Sequence, residues 1–174
     1  MNKIKYLFII FFFLVFSNYS FSQNIAYSNL YLIIKTSKVG KYLATLFSEK
    51  NKNLIDKVKK DEKKIREKEK SLLSQKNILQ AEEYSKKIKL IREEIKVFND
   101  NNQKKIKQIN VEREKVLKSF LVEINKVLKE FAEKNNIDII LSSNQMLIGK
   151  SNLDVTNDLL DIVNKKIKNF KIEQ

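Results

Sequence analysis

Residues Thr45 to Lys134 read TLFSEKNKNLIDKVKKDEKKIREKEKSLLSQKNILQAEEYSKKIKLIREEIKVFNDNNQKKIKQINVEREKVLKSFLVEINKVLKEFAEK, with no Pro and no Gly anywhere in the run. Those two residues interrupt helices, Pro by removing an amide donor and Gly through its backbone entropy. Their absence over such a length predicts very long helices. The apolar spacing agrees. Leu43, Leu46, Phe47, Leu54, Ile55 and Val58 form one stripe. The stripe then thins to one residue per heptad at Val58, Ile65, Leu72 and Leu79. A second dense series follows at Ile88, Ile91, Ile95, Phe98, Ile106, Ile109, Val116, Phe120, Ile124, Val127, Leu128 and Phe131. Steps of three and four place these side chains on one face, a seam for pairing with another helix.

As one rod, about ninety helical residues would span ~135 Å with the seam in water. Two antiparallel arms bury it within one chain. The strongest local breaker signal is Asn99-Asp100-Asn101-Asn102, but a turn there sets an arm of roughly 58 residues against one of roughly 32. A tip near 76–84 gives more equal arms and is the expectation.

The flanks read differently. Asn24 to Ile34 starts as a short strand carrying Ile25, Tyr27 and Leu30, and Ser37 is placed to cap the helix that follows. After Asn135-Asn136 the period changes. Ile137, Ile139, Ile140 and Leu141 read as a buried strand; Met146, Leu147 and Ile148, closed by Gly149, read as another, with 142–145 as the hairpin turn. Asp154-Val155-Thr156 opens a last helix whose face carries Leu159, Leu160, Ile162, Val163 and Ile167. The expected fold class is therefore α+β: a long antiparallel helical hairpin, 41–134, projecting from a small β-sheet body made of 23–40 and 135–174. Ile25, Tyr27, Leu30, Ile139, Leu141, Leu147 and Ile148 are the expected core of that body. So small a sheet offers too little apolar surface to stand alone, and sharing it between chains is the natural remedy.

The N-terminus reads as an export signal. Lys3 and Lys5 precede an apolar run from Tyr6 to Phe16, and Ser20-Phe21-Ser22 supplies small residues where a signal peptidase reads them. The run is too short for a membrane span of ~20 residues. Cleavage after Ser22 is expected, making 1–22 a signal peptide and the mature protein periplasmic. Its loss lowers the net charge from +14 to +12.

The sequence has no His and no Cys. Disulfides, a lipid-bearing Cys, thiol nucleophiles and the commonest metal ligands and general bases are thereby excluded. Glu82-Glu83 and Glu93-Glu94 lie among Lys and Arg, as helix-surface ion-pair partners do. Gly40 and Gly149 stand alone and form no phosphate loop. No enzyme, cofactor or metal site is expected.

Charge carries more information. Positions 49–134 hold 25 Lys and Arg against 16 Asp and Glu, a net of +9. A field of one sign steers acidic partners. Export argues against nucleic acid and leaves anionic lipid, lipopolysaccharide or acidic unfolded chains. Lys59, Lys63, Lys86, Lys87 and Arg92 are the candidate steering charges.

Several short motifs fall in a telling order. They are Ile25-Ala26-Tyr27-Ser28-Asn29, then Thr36-Ser37-Lys38-Val39-Gly40-Lys41, Phe131-Ala132-Glu133-Lys134, Ile137-Asp138-Ile139-Ile140-Leu141, and Asp154-Val155-Thr156 followed by Leu159 and Leu160. Around a basic helical hairpin behind a signal peptide, this order resembles the Skp/OmpH family of periplasmic chaperones over essentially the whole mature chain. Ser28-Asn29 stands where Val-Asp is common in the family, and Lys38 where Pro often sits. The resemblance implies a homotrimer whose three hairpins surround a cavity. It also implies an ATP-independent holdase for unfolded outer-membrane β-barrel proteins. The second reading is a structural or adaptor protein of the envelope that uses the hairpin as a rigid spacer.

Overall fold

The computed structural model describes residues 23–168 and 170. The expected signal peptide, 1–22, lies outside the described residues. The chain starts with strand β1 (Ile25–Ser28) and turns at Asn29 into a short helix, α1 (Leu30–Thr36). The sequence reading took only a strand from this segment. Asn29 makes the difference: its side chain accepts the Leu32 N–H at 2.9 Å, starting a helix one residue after the strand ends.

Helix α2 (Lys38–Ser74) begins directly after α1. Ser37 caps it as expected, its Oγ accepting the Gly40 N–H at 3.1 Å. The chain reverses over 75–80, and α3 (Ala81–Lys134) returns through Asn99–Asn102 without a break. At 1.5 Å per residue, α2 is ~55 Å long and α3 ~80 Å. Two ion pairs fix the register between them: Lys50 with Glu112 at 2.5 Å and Lys68 with Glu94 at 2.6 Å. The bridged residues lie eighteen positions apart on each arm, so pairing runs without a slip.

Helix α3 ends in a left-handed residue. Asn136 has φ 52°, a conformation Asn tolerates better than most residues. It lets the Ile137 N–H donate to the Ala132 carbonyl at 2.9 Å, and the chain exits into β2 (Ile139–Ser142). β2 lies parallel to β1 with Ile25 opposite Ile139 and Tyr27 opposite Leu141. A parallel pair needs a long crossover; here the whole helical hairpin serves as one. Asp138 ties the two strand starts together, its Oδ2 accepting the Asn24 N–H at 2.8 Å.

The expected strand at Met146, Leu147 and Ile148 is not formed. Ser143–Gln145 makes a 3-10 turn, 146–150 is irregular, and a second 3-10 turn covers Ser151–Leu153. A strand needs a ladder partner, and among the described residues this segment has none. On the other side of β1, Asp154 bridges to Tyr27 and the Val155 N–H donates to the Tyr27 carbonyl at 3.0 Å. Helix α4 (Thr156–Lys166) then closes the body. Thr156 joins three elements: its Oγ1 accepts the Asn29 N–H at 2.9 Å, and its own N–H donates to Asp154 Oδ1 at 2.9 Å.

The core of the single chain is helical. Ile33, Val39, Leu43, Phe47, Val116, Phe120, Ile124, Val127, Leu159 and Val163 are buried together where α1, α4 and the bases of the two arms meet. Phe120 and Phe170 stack edge to face at 5.4 Å. Of the sheet-side residues expected inside the body, Tyr27 and Leu30 are half-buried, and Leu30 packs against the helical cluster. Ile25, Ile139, Leu141, Leu147 and Ile148 are exposed in the single chain. The sheet has two strands, and one face of it stays open in the single chain, so the helices supply the burial instead.

Candidate functional site

Away from the base the arms pack thinly. On α2 only Ile65 and Leu72 are buried beyond Phe47; on α3, Ile88, Ile91, Ile95, Phe98 and Ile109 are half-buried. The seam thus dries out at the body and stays wet along the arms.

Apolar doublets give the arms their second feature. Neighbouring helical residues diverge by 100°, so only one of a pair can face the seam. Leu72 is buried and Leu73 exposed; Ile91 is half-buried and Leu90 exposed. Leu54–Ile55, Phe98–Val97 and Val116–Leu117 repeat the arrangement. These outward members went unnamed at the sequence level, although Ile55 was grouped with the seam. The doublets themselves were the available signal: two adjacent apolar residues on a paired helix present one to water.

The five candidate steering charges do not converge on one spot. Lys59 and Lys63 lie one turn apart on α2, whereas Lys86, Lys87 and Arg92 lie on α3 towards the turn. Lys63 pairs with Glu67 at 4.0 Å, Lys86 with Glu82 at 3.0 Å and Lys87 with Glu83 at 3.1 Å, all i,i+4. Lys59 and Arg92 form no ion pair among the described residues. The side-chain hydrogen bond and charge of Glu62 push the Arg66 pKa further up, so this guanidinium stays cationic. Glu82, Glu83 and Glu94 each pair with a Lys. Among the described residues no group of three acidic, His or Cys side chains is placed to hold a metal ion. None of the described helices is long and apolar enough to cross a membrane.

The arrangement offers a long, basic, discontinuously apolar surface on two slender arms. Such a surface can hold an extended partner by many weak contacts. Comparison with known proteins follows the same line. The family model for outer membrane protein (OmpH-like) matches residues 24–163. This chain belongs to the OmpH-like family. One similar solved structure is an OmpH-like protein from Caulobacter crescentus CB15, described as a candidate outer membrane chaperone. It superposes with a TM-score of 0.82 at 12% identity, covering 88% of this chain and 90% of its own. At that identity it shows the fold: the OmpH-like arms and body are the same architecture in both. A comparison with curated protein sequences finds no match.

Proposed function

We propose that this OmpH-like protein is an ATP-independent periplasmic holdase that binds unfolded outer-membrane β-barrel proteins and keeps them from aggregating. The observation that carries the reading is the set of outward apolar members, Ile55, Leu73, Leu90, Val97 and Leu117, spaced along arms rich in Lys and Arg. An unfolded barrel strand alternates apolar and polar side chains and pairs edge to edge when left alone. Separate apolar contacts along a charged arm shield such strands without a fixed register. Several arms acting together give avidity from weak contacts. Lys59, Lys63, Lys86, Lys87 and Arg92 contribute to a diffuse field that draws in acidic chains.

The cavity in this account comes from a homotrimer. The far edge of β2 carries exposed Ile139 and Leu141, and the next segment projects Leu147 and Ile148, which are 106% and 89% exposed. A strand-like segment without a partner beside a strand edge without a partner fits head-to-tail addition between neighbours, which closes into a ring. Ile25, opposite Ile139 in the sheet, adds a further exposed apolar side chain. The non-enzymatic role, the export signal and the three-fold assembly belong to the same proposal.

The test is aggregation of a urea-unfolded outer-membrane β-barrel protein diluted into low-salt buffer. Suppression at a few-fold molar excess of trimer, weakening as salt rises, supports the reading. No protection at any excess defeats it. Recovery of one folded, stoichiometric partner in its place would favour the envelope adaptor.

A further inference from the structure

Where α2 begins against the end of α4, the body carries an open cleft of about 380 Å³. Lys38, Tyr42, Asn164 and Lys168 line its polar side. Val39, Ile167 and Phe170 line its apolar side, Val39 buried and the other two packed against the helical core. Asn164 Oδ1 accepts the Lys38 N–H at 2.8 Å, so its NH2 group is left to donate to a ligand. Tyr42 is 55% exposed and adds a phenol hydroxyl. Neither Lys38 nor Lys168 forms an ion pair among the described residues. The sequence from Gln23 to Ser48 has no acid. Asp158 and Asp161 of α4 line a different groove, together with Lys134 and Lys165. Two ammonium groups and two neutral donors thus border a small apolar floor that carboxylates of this chain do not share.

We propose that this cleft binds the C-terminal end of a polypeptide, with the free carboxylate between Lys38 and Lys168 and the last side chain, an apolar one, over Val39, Ile167 and Phe170. The donors name the partner's sign, since all four can hydrogen-bond one anion. The apolar side selects among anions. A bare phosphate or sulfate makes no use of it, and an acyl chain would outrun three side chains. An internal Asp or Glu brings a carboxylate but no apolar group on the same residue. A chain end brings both, hung from one Cα a few ångströms apart, and capture of a terminal carboxylate is a recurring mode of peptide recognition. A chain held by its end has its other segments at raised effective concentration near the same molecule. The site belongs to the body of one chain, so it holds whether or not the arms shield clients.

Fluorescence anisotropy of the full mature protein with labelled peptides tests it. The probe is a flexible Gly-Ser peptide of about eight residues, labelled at its N-terminus and ending in Phe with a free carboxylate. It should bind with a Kd on the order of 100 µM at roughly 50 mM salt. Amidating its end, or replacing the final Phe by Ser, should weaken binding by about tenfold. Lys38→Gln with Lys168→Gln should weaken the free-acid peptide by about tenfold and leave the residual binding of the amide unchanged. Lys134→Gln with Lys165→Gln, an equal loss of charge in the other groove, should bind as the parent does. The proposal is overturned if the free-acid peptide does not bind, if the amide or the Ser-ended peptide binds equally well, or if both variant pairs lose binding equally. Dodecanoate that binds where the peptide does not would make the cleft a fatty-acid site and defeat the proposal too. Peptide binding lost only in the Lys38 and Lys168 variant supports it even where aggregation of a barrel protein is not suppressed, a result that would strike the holdase reading alone.

Discussion

Gly40 sits where no other residue fits. A Cβ placed there would lie 1.6 Å from the Ile34 carbonyl oxygen and 2.8 Å from its carbon, both backbone atoms that cannot step aside. Ser37 turns the chain from α1 into α2 and bonds the Gly40 amide, so the Ser-Lys-Val-Gly stretch is a tight joint between two helices. Gly40→Ala should lower stability by about 2–4 kcal/mol, read as a fall in the denaturant midpoint. Asn136 makes a second test of the backbone. Asn136→Gly should be neutral or slightly stabilising, whereas Asn136→Val should cost about 1–2 kcal/mol, because a β-branched residue resists φ 52°. Ser37 was legible as a cap because hydroxyl capping follows from local sequence. The steric demand at Gly40 was not, since it depends on α1, a helix hidden behind a strand-like run. Asn29 caps α1 through its side-chain oxygen.

Along each arm, stability should fall towards the tip. The base packs Leu43, Phe47, Val116 and Phe120 into a dry cluster, while the outer arm of α2 buries only Ile65 and Leu72. Amide exchange should therefore be slowest near Phe47 and Phe120 and rise steadily beyond Val58; uniform protection along both arms would contradict the packing. Phe120 is fully buried, and Phe120→Ala should cost about 3–5 kcal/mol, lowering the melting temperature by roughly 10 °C. Within the doublets, Leu72→Ala should destabilise measurably and Leu73→Ala hardly at all, with the second affecting what the arm touches. The long helices were legible because their period and lack of breakers are local signals. The strand at 146–148 was misread for a related reason: Met146-Leu147-Ile148 has a strand's composition, but composition names no partner. The parallel pairing of β1 with β2 joins residues 114 apart, as Ile25 and Ile139 are, and no short-range pattern reports that.

For the whole molecule, two kinds of apolar surface stand out. One is the patch Ile25, Ile139, Leu141, Leu147 and Ile148 on the sheet side, read from the sequence as a body core and exposed in the lone chain. The other is scattered along the arms. The first is continuous with a strand edge and suits a second copy; the second is broken by Lys and Glu and suits changing, extended partners. Leu141→Glu with Leu147→Glu should leave the helical core of one chain folded, because neither residue belongs to it, and should yield single chains that no longer protect an unfolded barrel protein. Retained protection by the dispersed chains would separate the arms' activity from assembly. Light scattering on the mature parent protein is the most direct check. The account predicts a particle of three times the chain mass, and a single-chain mass across the accessible concentrations would contradict it.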